Sequence, residues 1–452
     1  MQLHGKRLAL LGLGVENRAL AAWLAQHGHV FTVCDSDTEL ATADLSWRAA
    51  LADCRLGTAA LQNLEDFDVI FRSPGIPLKR PQLIAARGAG VRLSSGIEVF
   101  IDHCQRPVIG VTGTKGKGTT ASLLMAICES ARISARIGGN IGTPPLSFLD
   151  ELQDDELVVL ELSSFQLQEL GRSPWGAVLL PIATDHLDYH STRDEYIEAK
   201  GEICRHQGPG DWTLAAANCA ASQQLARSST SRQLSFDGGA PINGDGCWAS
   251  EGEIWWRNDG PDVVVAQRAD VHIRGEHNVT NACAAVASAL LAGASSEAIP
   301  DGLRAFKGLP HRLEIVAERG GILFVNDSLA TTPEAAAAGL RAWPDRAVVL
   351  IAGGASKGAL YTLLGQAVAA DAAALVTLGE EGPAIAQAAR AAGFRGTMHE
   401  DCATMAEAVR VATKAAAPGD VVLLSPACAS FGMFASYAER GDAFRRAVQQ
   451  GV

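Results

Sequence analysis

Short apolar runs alternate along the chain with longer stretches whose apolar positions recur at helical spacing. Arg7–Leu11, Val30–Cys34 and Asp68–Phe71 are runs of the first kind, and Arg18–Gln26 is of the second. Each run ends in turn-forming or acidic residues: Gly12-Leu13-Gly14, Asp35 and Ser73-Pro74-Gly75. Strands separated by helices predict a parallel, doubly wound sheet, so the fold class expected is α/β.

The pattern restarts near Asp102–Arg106 with the strand Pro107–Val111, a glycine-rich loop and a helix over Thr119–Ser130. Leu157–Leu162 and Ala177–Leu180 read as buried strands. Asp237–Gly260, rich in Gly and Asp around Glu253-Ile254-Trp255-Trp256, predicts hairpins, and Ala-rich Asn278–Leu291 a helix. A third series of strands, Ile322–Val325, Ala347–Ile351, Ala374–Leu378 and Asp420–Leu424, is separated by Ala-rich helices. Three domains follow: residues 1–104, Rossmann-like; 105–308, a P-loop ATPase-like domain with a mostly parallel sheet; and 309–452, Rossmann-like again. A chain of 452 residues suits that number at roughly 100–200 residues per domain.

Composition narrows the partners. The net charge of −12 argues against nucleic acid and anionic membrane surfaces. No apolar run reaches the roughly 20 residues that span a bilayer, and the start of the chain reads as a strand rather than a secretion signal. The ten cysteines show no CxxC spacing and several lie in apolar stretches, which points to reduced thiols of a cytoplasmic protein. A monomer is expected.

The segment with the most chemistry is Gly110-Val111-Thr112-Gly113-Thr114-Lys115-Gly116-Lys117-Gly118-Thr119-Thr120, between a strand and a helix. Glycines let backbone N–H groups approach phosphate, and the helix N-terminus adds a favourable dipole. Lys117 can reach the β- and γ-phosphates, and a Thr hydroxyl can help hold Mg²⁺. Val111 and Gly118 depart from the Walker pattern, which has Gly and Ser/Thr there. Thr119 is then the nearest hydroxyl.

Other motifs follow in order: Gly138-Gly139-Asn140-Ile141-Gly142, Glu161-Leu162-Ser163-Ser164-Phe165-Gln166, Asp185-His186-Leu187-Asp188, Lys200, His277-Asn278 with Asn281, Gly308-Leu309-Pro310-His311-Arg312, Asn326-Asp327-Ser328, Gly353-Gly354 and Ser425-Pro426-Ala427-Cys428-Ala429-Ser430. Together they resemble the Mur ligase and folylpolyglutamate synthetase superfamily over nearly the whole chain. Glu-Leu-Ser-Ser-Phe-Gln and Ser-Pro-Ala-Cys-Ala-Ser resemble the glutamate-adding branch of the Mur ligases of peptidoglycan synthesis. The resemblance implies an ATP- and Mg²⁺-dependent ligase joining glutamate to UDP-N-acetylmuramoyl-L-alanine through an acyl phosphate, with one domain each for UDP, ATP and the amino acid. Charge then accumulates on phosphoryl and carbonyl oxygens, so such a site needs cations more than a nucleophile.

Several residues read one way alone and another through the resemblance. Glu161 closes a buried strand, where a carboxylate needs a metal or a cation; the resemblance implies Mg²⁺. His186 by itself fits a surface loop or a transition-metal cluster, and the resemblance makes it a ligand of a second Mg²⁺. His190 has no counterpart and is expected to be a loop residue. Lys200 alone reads as a surface lysine on a helix, whereas the resemblance makes it a carbamylated metal ligand, its charge converted to an oxygen donor that suits a hard cation. Asn278 and Asn281 share a helix face and could cap it; the resemblance puts Asn281 at the adenine. Arg312 and Asp327 read alone as an interdomain salt bridge, and by resemblance they contact ATP. The expected ATP loop is Gly113 through Thr120.

On the UDP side, Gly14, Val15, Asp35, Ser73, Gly75 and Asn140 are expected contacts. Gly12-Leu13-Gly14 with Asp35 resembles a nucleotide-binding turn. Val15-Glu16-Asn17 departs from the small or hydroxyl residues expected there, and Asn17 in place of the third glycine argues against a dinucleotide oxidoreductase. Thr331, Lys357, Ser430 and Tyr437 occupy the positions that hold glutamate in the family. Leu329 replaces the lysine of the usual Asp-Ser-Lys-Ala-Thr. Gly118 and Tyr437 depart from the family as well, and changes near the amino acid suggest changed recognition. The resemblance includes a subgroup of these ligases that adds L-glutamate, and this chain is expected to belong to it, with the D-glutamate-adding ligase of the main family as the alternative. The remaining alternatives are a folylpolyglutamate synthetase-like ligase, which lacks a comparable first domain, and a non-catalytic nucleotide binder, which would not need Lys117, Glu161, His186 and Lys200.

Overall fold

The computed structural model describes residues 1–39, 47–183, 189–273, 275–356 and 358–451. Its strands form three sheets. In the first, β1 (Leu8–Leu11), β2 (Phe31–Asp35), β3 (Leu51–Leu56), β4 (Val69–Arg72) and β5 (Arg92–Ser94) lie in the order β3-β2-β1-β4-β5, all parallel. The three apolar runs read from the sequence are the middle of this sheet. The edge strands β3 and β5 escaped that reading because they alternate or expose polar residues, as edges do.

The second sheet is built from β6 (Val108–Thr112), β7 (Ala135–Gly139), β8 (Leu157–Glu161), β9 (Gly176–Leu179), β10 (Trp212–Ala216), β11 (Arg232–Asp237), β12 (Gly246–Ser250), β13 (Glu253–Arg257) and β14 (Val263–Gln267). The order is β14-β13-β12-β11-β10-β9-β6-β8-β7, parallel throughout except for the β12-β13-β14 meander, which supplies the expected hairpins. The helix Glu276–Leu291 buries a run of small residues, Ala282 to Ala289, against this sheet. Alanine lets helix and sheet approach closely while keeping helix propensity high.

Residues 1–306 form one compact unit. One apolar cluster runs through Leu8, Leu10, Phe71, Ile97, Phe100, Phe148, Val158 and Leu160, so the first two sheets share a core. The helix Gly96–His103, capped by Ser95, is buried within it. The change of sheet near residue 104 is therefore a change of layer inside one packed body. Residues 307–452 form the second unit. Its sheet holds β15 (Glu314–Arg319), β16 (Ile322–Asn326), β17 (Val348–Ala352), β18 (Ala372–Leu378), β19 (Thr397–Cys402) and β20 (Val421–Leu424) in the order β15-β16-β20-β17-β18-β19, with only β15 antiparallel. No helix among the described residues is long and apolar enough to cross a membrane. All ten cysteines are free thiols.

Candidate active site

In the first sheet the strand order reverses at β1, and the loops leaving β1 and β4 lie side by side at that switch point, where ligands of such sheets bind. Gly12, at φ 79°, turns the chain, and a Cβ on it would meet Ser73 and Ile76 at 2.9 Å. Gly14 begins the helix Val15–Gln26 and faces Ser73 Oγ. Leu13 N donates to Asp35 Oδ2 at 2.5 Å. The expected UDP residues Gly14, Asp35 and Ser73 thus stand at the carboxyl ends of adjacent strands, with Val15 exposed and Gly75 in the following turn. Asn17, read from sequence as a departure, is buried. Its Nδ2 donates to the carbonyls of Leu11, Gly12 and Phe71, clamping the two loops together.

Behind Ser73 lies Arg72, fully buried. It pairs with Glu169 through two bonds of 2.9 Å and donates to the carbonyls of Pro74, Ile76 and Phe165 and to Tyr189 Oη. A buried ion pair of this kind is tolerated because nearly every donor has an acceptor. It ties the Ser73–Ile76 loop to the helix Ser164–Leu167 that follows Glu161. Gln166 completes that junction with a hydrogen bond to Glu16. Burial pushes the Glu16 carboxyl up to about 7, against the bond from Gln166 and the charge of Arg72, which lower it.

The phosphate loop follows β6. Gly113 and Gly116 have φ of 155° and 89°, and the helix Lys117–Ser130 starts directly after Gly116. A Cβ on Gly113 would strike Leu180, and one on Gly116 would strike Asn281 Oδ1 at 2.3 Å. The glycines therefore serve close packing of the loop as well as its turn. Asn281, expected at the adenine, is held against the loop and bonded to Asn278 Oδ1.

Lys117 Nζ curls back to the carbonyls of Gly113 and Thr114 at 3.3 and 3.1 Å. Lys200 Nζ, from the helix Arg193–Arg205, donates to the same Gly113 carbonyl at 2.9 Å. It is 1% exposed and lies over the Tyr196 ring, so the surface-lysine reading is wrong. Thr114 Oγ1 contacts Tyr196 Oη. Lys115 and Gly118 complete the loop, with Gly118, Thr119 and Thr120 buried in the first turn of its helix.

Glu161 ends β8 in register with Val111 of the neighbouring strand β6, which runs into the phosphate loop. Asn140 binds it twice, from its backbone N to Glu161 O at 2.8 Å and from Nδ2 to Oε1 at 2.9 Å. Gly139, at φ 98°, allows this, since a Cβ would lie 2.2 Å from Glu161 O. Asn140, expected at the sugar diphosphate, thus also orients the acid.

His186 lies outside the described residues. His190 does lie in a loop, but it is buried there, with Nε2 at 3.0 Å from Ser164 Oγ and its ring among Phe165, Tyr189 and Tyr196. A single buried histidine leaves no mark of its burial in the sequence pattern.

A cation would find oxygen donors here. Glu161 carries a buried carboxylate, and the Oγ1 of Thr120, in the first turn of the phosphate helix, has no hydrogen-bond partner among the described residues. Among the described residues no group of three His, Cys, Asp or Glu side chains could hold a metal by itself.

In the second unit, β16, β20 and β17 are neighbours and parallel, and their carboxyl ends carry Asp327–Thr331, Ser425–Ser430 and Gly353-Gly354. Burial pushes Asp327 up to about 6, opposed by bonds from Ser425 Oγ and Leu313 N and by the charge of Arg312. His311, at φ 62°, is buried against Asn326. Thr331 follows this loop, Ser430 is buried, and Tyr437 is half-exposed at the start of the helix Tyr437–Gln449, its carbonyl accepting from Ser328 Oγ at 2.8 Å. Lys357 lies outside the described residues.

Three family models match the chain: the Mur ligase MurD-like N-terminal domain over residues 6–95, the Mur ligase middle domain over 111–289, and the Mur ligase glutamate ligase domain over 311–428. A UDP-N-acetylmuramoylalanine–D-glutamate ligase of Symbiobacterium thermophilum is 39% identical over 98% of both chains. One of Pelotomaculum thermopropionicum is 36% identical over 98% of this chain and 97% of its own. Among solved structures, a UDP-N-acetylmuramate–alanine ligase of Thermotoga maritima superposes with a TM-score of 0.58 at 18% identity, covering 99% of this chain and 100% of its own. The E. coli FolC structure, in complex with DHPP and ADP, covers only 78% of this chain and 91% of its own, with a TM-score of 0.57 at 17% identity. With matches over all three segments and relatives similar end to end, the chain belongs to the Mur ligase family and is an ATP-dependent, amide-bond-forming ligase.

Proposed function

We propose that this ligase joins D-glutamate to UDP-N-acetylmuramoyl-L-alanine in peptidoglycan precursor synthesis. The observation that carries the reading is end-to-end similarity to relatives that bear the D-glutamate ligase name. The expectation of L-glutamate, drawn from Leu329, gives way to it. One changed side chain beside the acceptor alters charge without inverting a stereochemical preference.

The uridine nucleotide lies over the β1 and β4 loops, contacted by Gly14, Val15, Asp35, Ser73 and Gly75, with Asn140 toward the sugar diphosphate. ATP lies on the phosphate loop, Gly113 to Thr120, with Asn281 as a further contact. A carboxylate oxygen of the substrate attacks the γ-phosphorus, the bond to the β-phosphate oxygen breaks, and ADP leaves. The glutamate amine then attacks the acyl carbon, loses a proton and expels phosphate. Lys117 answers the phosphoryl charge.

Magnesium would be held by Glu161, the hydroxyl of Thr119 or of its neighbour Thr120, His186 and a carbamylated Lys200, and would supply positive charge to the phosphoryl oxygens. Lys200 supports that set by its position. It is buried beside the phosphate loop, and carbon dioxide on its amine would place an anionic oxygen donor there. Thr331, Lys357, Ser430 and Tyr437 receive the glutamate.

The test is phosphate release from the full chain with each glutamate enantiomer and UDP-N-acetylmuramoyl-L-alanine. Release that requires the D form and the uridine substrate is expected, as is loss of about 100-fold or more for Lys117→Ala. A preference for the L form, or release independent of the uridine substrate, overturns the reading.

A further inference from the structure

Arg440 is fully buried, yet no carboxylate among the described residues pairs with it. Its Nε donates to Ser328 Oγ at 3.0 Å and its Nη2 to Ser328 O at 2.9 Å. Its Nη1 donates to the carbonyls of Cys428 and Ala429 at 3.1 and 3.0 Å. A Cβ on Gly354 would lie 3.1 Å from that Nη1. All of its acceptors are neutral. A buried charge costs free energy unless an opposite charge accompanies it, and here burial pushes the guanidinium down to about 10.

The placement of this cation is specific. Ser328 leads to Thr331, Ala429 precedes Ser430, Gly354 leads to Lys357, and Tyr437 lies one helical turn before Arg440 on the same helix. One guanidinium therefore touches or adjoins each segment assigned to the incoming amino acid. Ser328 Oγ, which accepts from Arg440, donates in turn to Tyr437 O. The Ala429 carbonyl also accepts from Ala355 N at 3.0 Å, so the segment after Gly354 meets the same cluster.

We propose that Arg440 is a positioning residue for the amino-acid substrate: it gathers these four segments and lends them the positive potential that selects an acceptor with a second carboxylate. The missing counter-charge is that of the bound dicarboxylate. Arg440 acts through the backbone and Ser328, without touching substrate. The inference rests on the assignment of Thr331, Lys357, Ser430 and Tyr437 to glutamate.

The experiment measures KM for glutamate, ATP and the uridine substrate in the full chain for Arg440→Gln, Arg440→Lys, Thr331→Val and Ser430→Ala. Loss of the charge should raise KM for glutamate about tenfold or more while the other two stay within about twofold, and lysine should recover part of the loss. If Thr331→Val and Ser430→Ala raise the glutamate KM but Arg440→Gln leaves it unchanged, or raises all three alike, the role of Arg440 is wrong and the site assignment stands. If those two variants leave the glutamate KM unchanged, the assignment itself fails and the inference with it. Should the Arg440 variants not fold, arginine-labelled wild-type chain gives the answer by NMR. The Arg440 Nε–H signal should shift with saturating glutamate and not with glutamine, and an unmoved signal overturns the proposal.

Discussion

Lys200 Nζ donates a hydrogen bond to the carbonyl oxygen of Gly113, 87 positions earlier in the chain, at 2.9 Å. The helix that carries the lysine thereby meets the phosphate loop at the glycine that Lys117 also contacts. Two amines thus meet on one carbonyl at the loop where ATP phosphate is expected, and a carbamate on Lys200 would put an anionic oxygen donor at that same loop.

If Lys200 is carbamylated, protein incubated with bicarbonate should be more active than protein stripped of carbon dioxide. Lys200→Arg keeps the charge but cannot form the carbamate, so it should lose about 100-fold or more in kcat and no longer respond to bicarbonate. Steady-state phosphate release with and without bicarbonate reads this directly. Equal responses in both proteins would rule the modification out.

Asn17→Ala removes three hydrogen bonds to the carbonyls of Leu11, Gly12 and Phe71. At least one of these acceptors is buried without easy replacement, so the loss should be about 2–3 kcal/mol by denaturant unfolding. Because the clamp joins the β1 and β4 loops, KM for the uridine substrate should rise more than KM for ATP.

Leu329 is exposed within the Asp327–Thr331 loop, so a longer side chain has room there. Leu329→Lys restores the family's cation next to a dicarboxylate. It should lower KM for glutamate by about two- to fivefold with unfolding unchanged within about 0.5 kcal/mol. A raised KM would show that the leucine itself contacts substrate.

Glu16 has its carboxyl raised from 4.5 to about 7 by burial. The folded state therefore holds a proton that the unfolded chain releases, and between about pH 4.5 and 7 this group makes stability fall as pH rises. Above about 7 and below about 4.5 its contribution is flat. Glu16→Gln should remove this slope, leaving a flatter stability profile over that window in urea unfolding series.

The alternation of apolar runs and helical stretches located the central strands of the first and third sheets and β6, β8 and β9 of the second, because a strand buried on both faces is apolar along its length, but it passed over β10 and β11. Glycine and lysine in a loop between strand and helix marked the candidate phosphate loop for the same kind of local reason. Edge strands such as β3 and β7 carry too little apolar signal to be read this way. Tertiary structure alone decided that Asn140 orients Glu161, that Lys200 is buried, and that Arg440 joins loops separated by about a hundred residues of chain. Those roles come from hydrogen bonds and charge between segments that meet only when parallel strands stack, and the polar residues that make them look, along the chain, like any others on a surface.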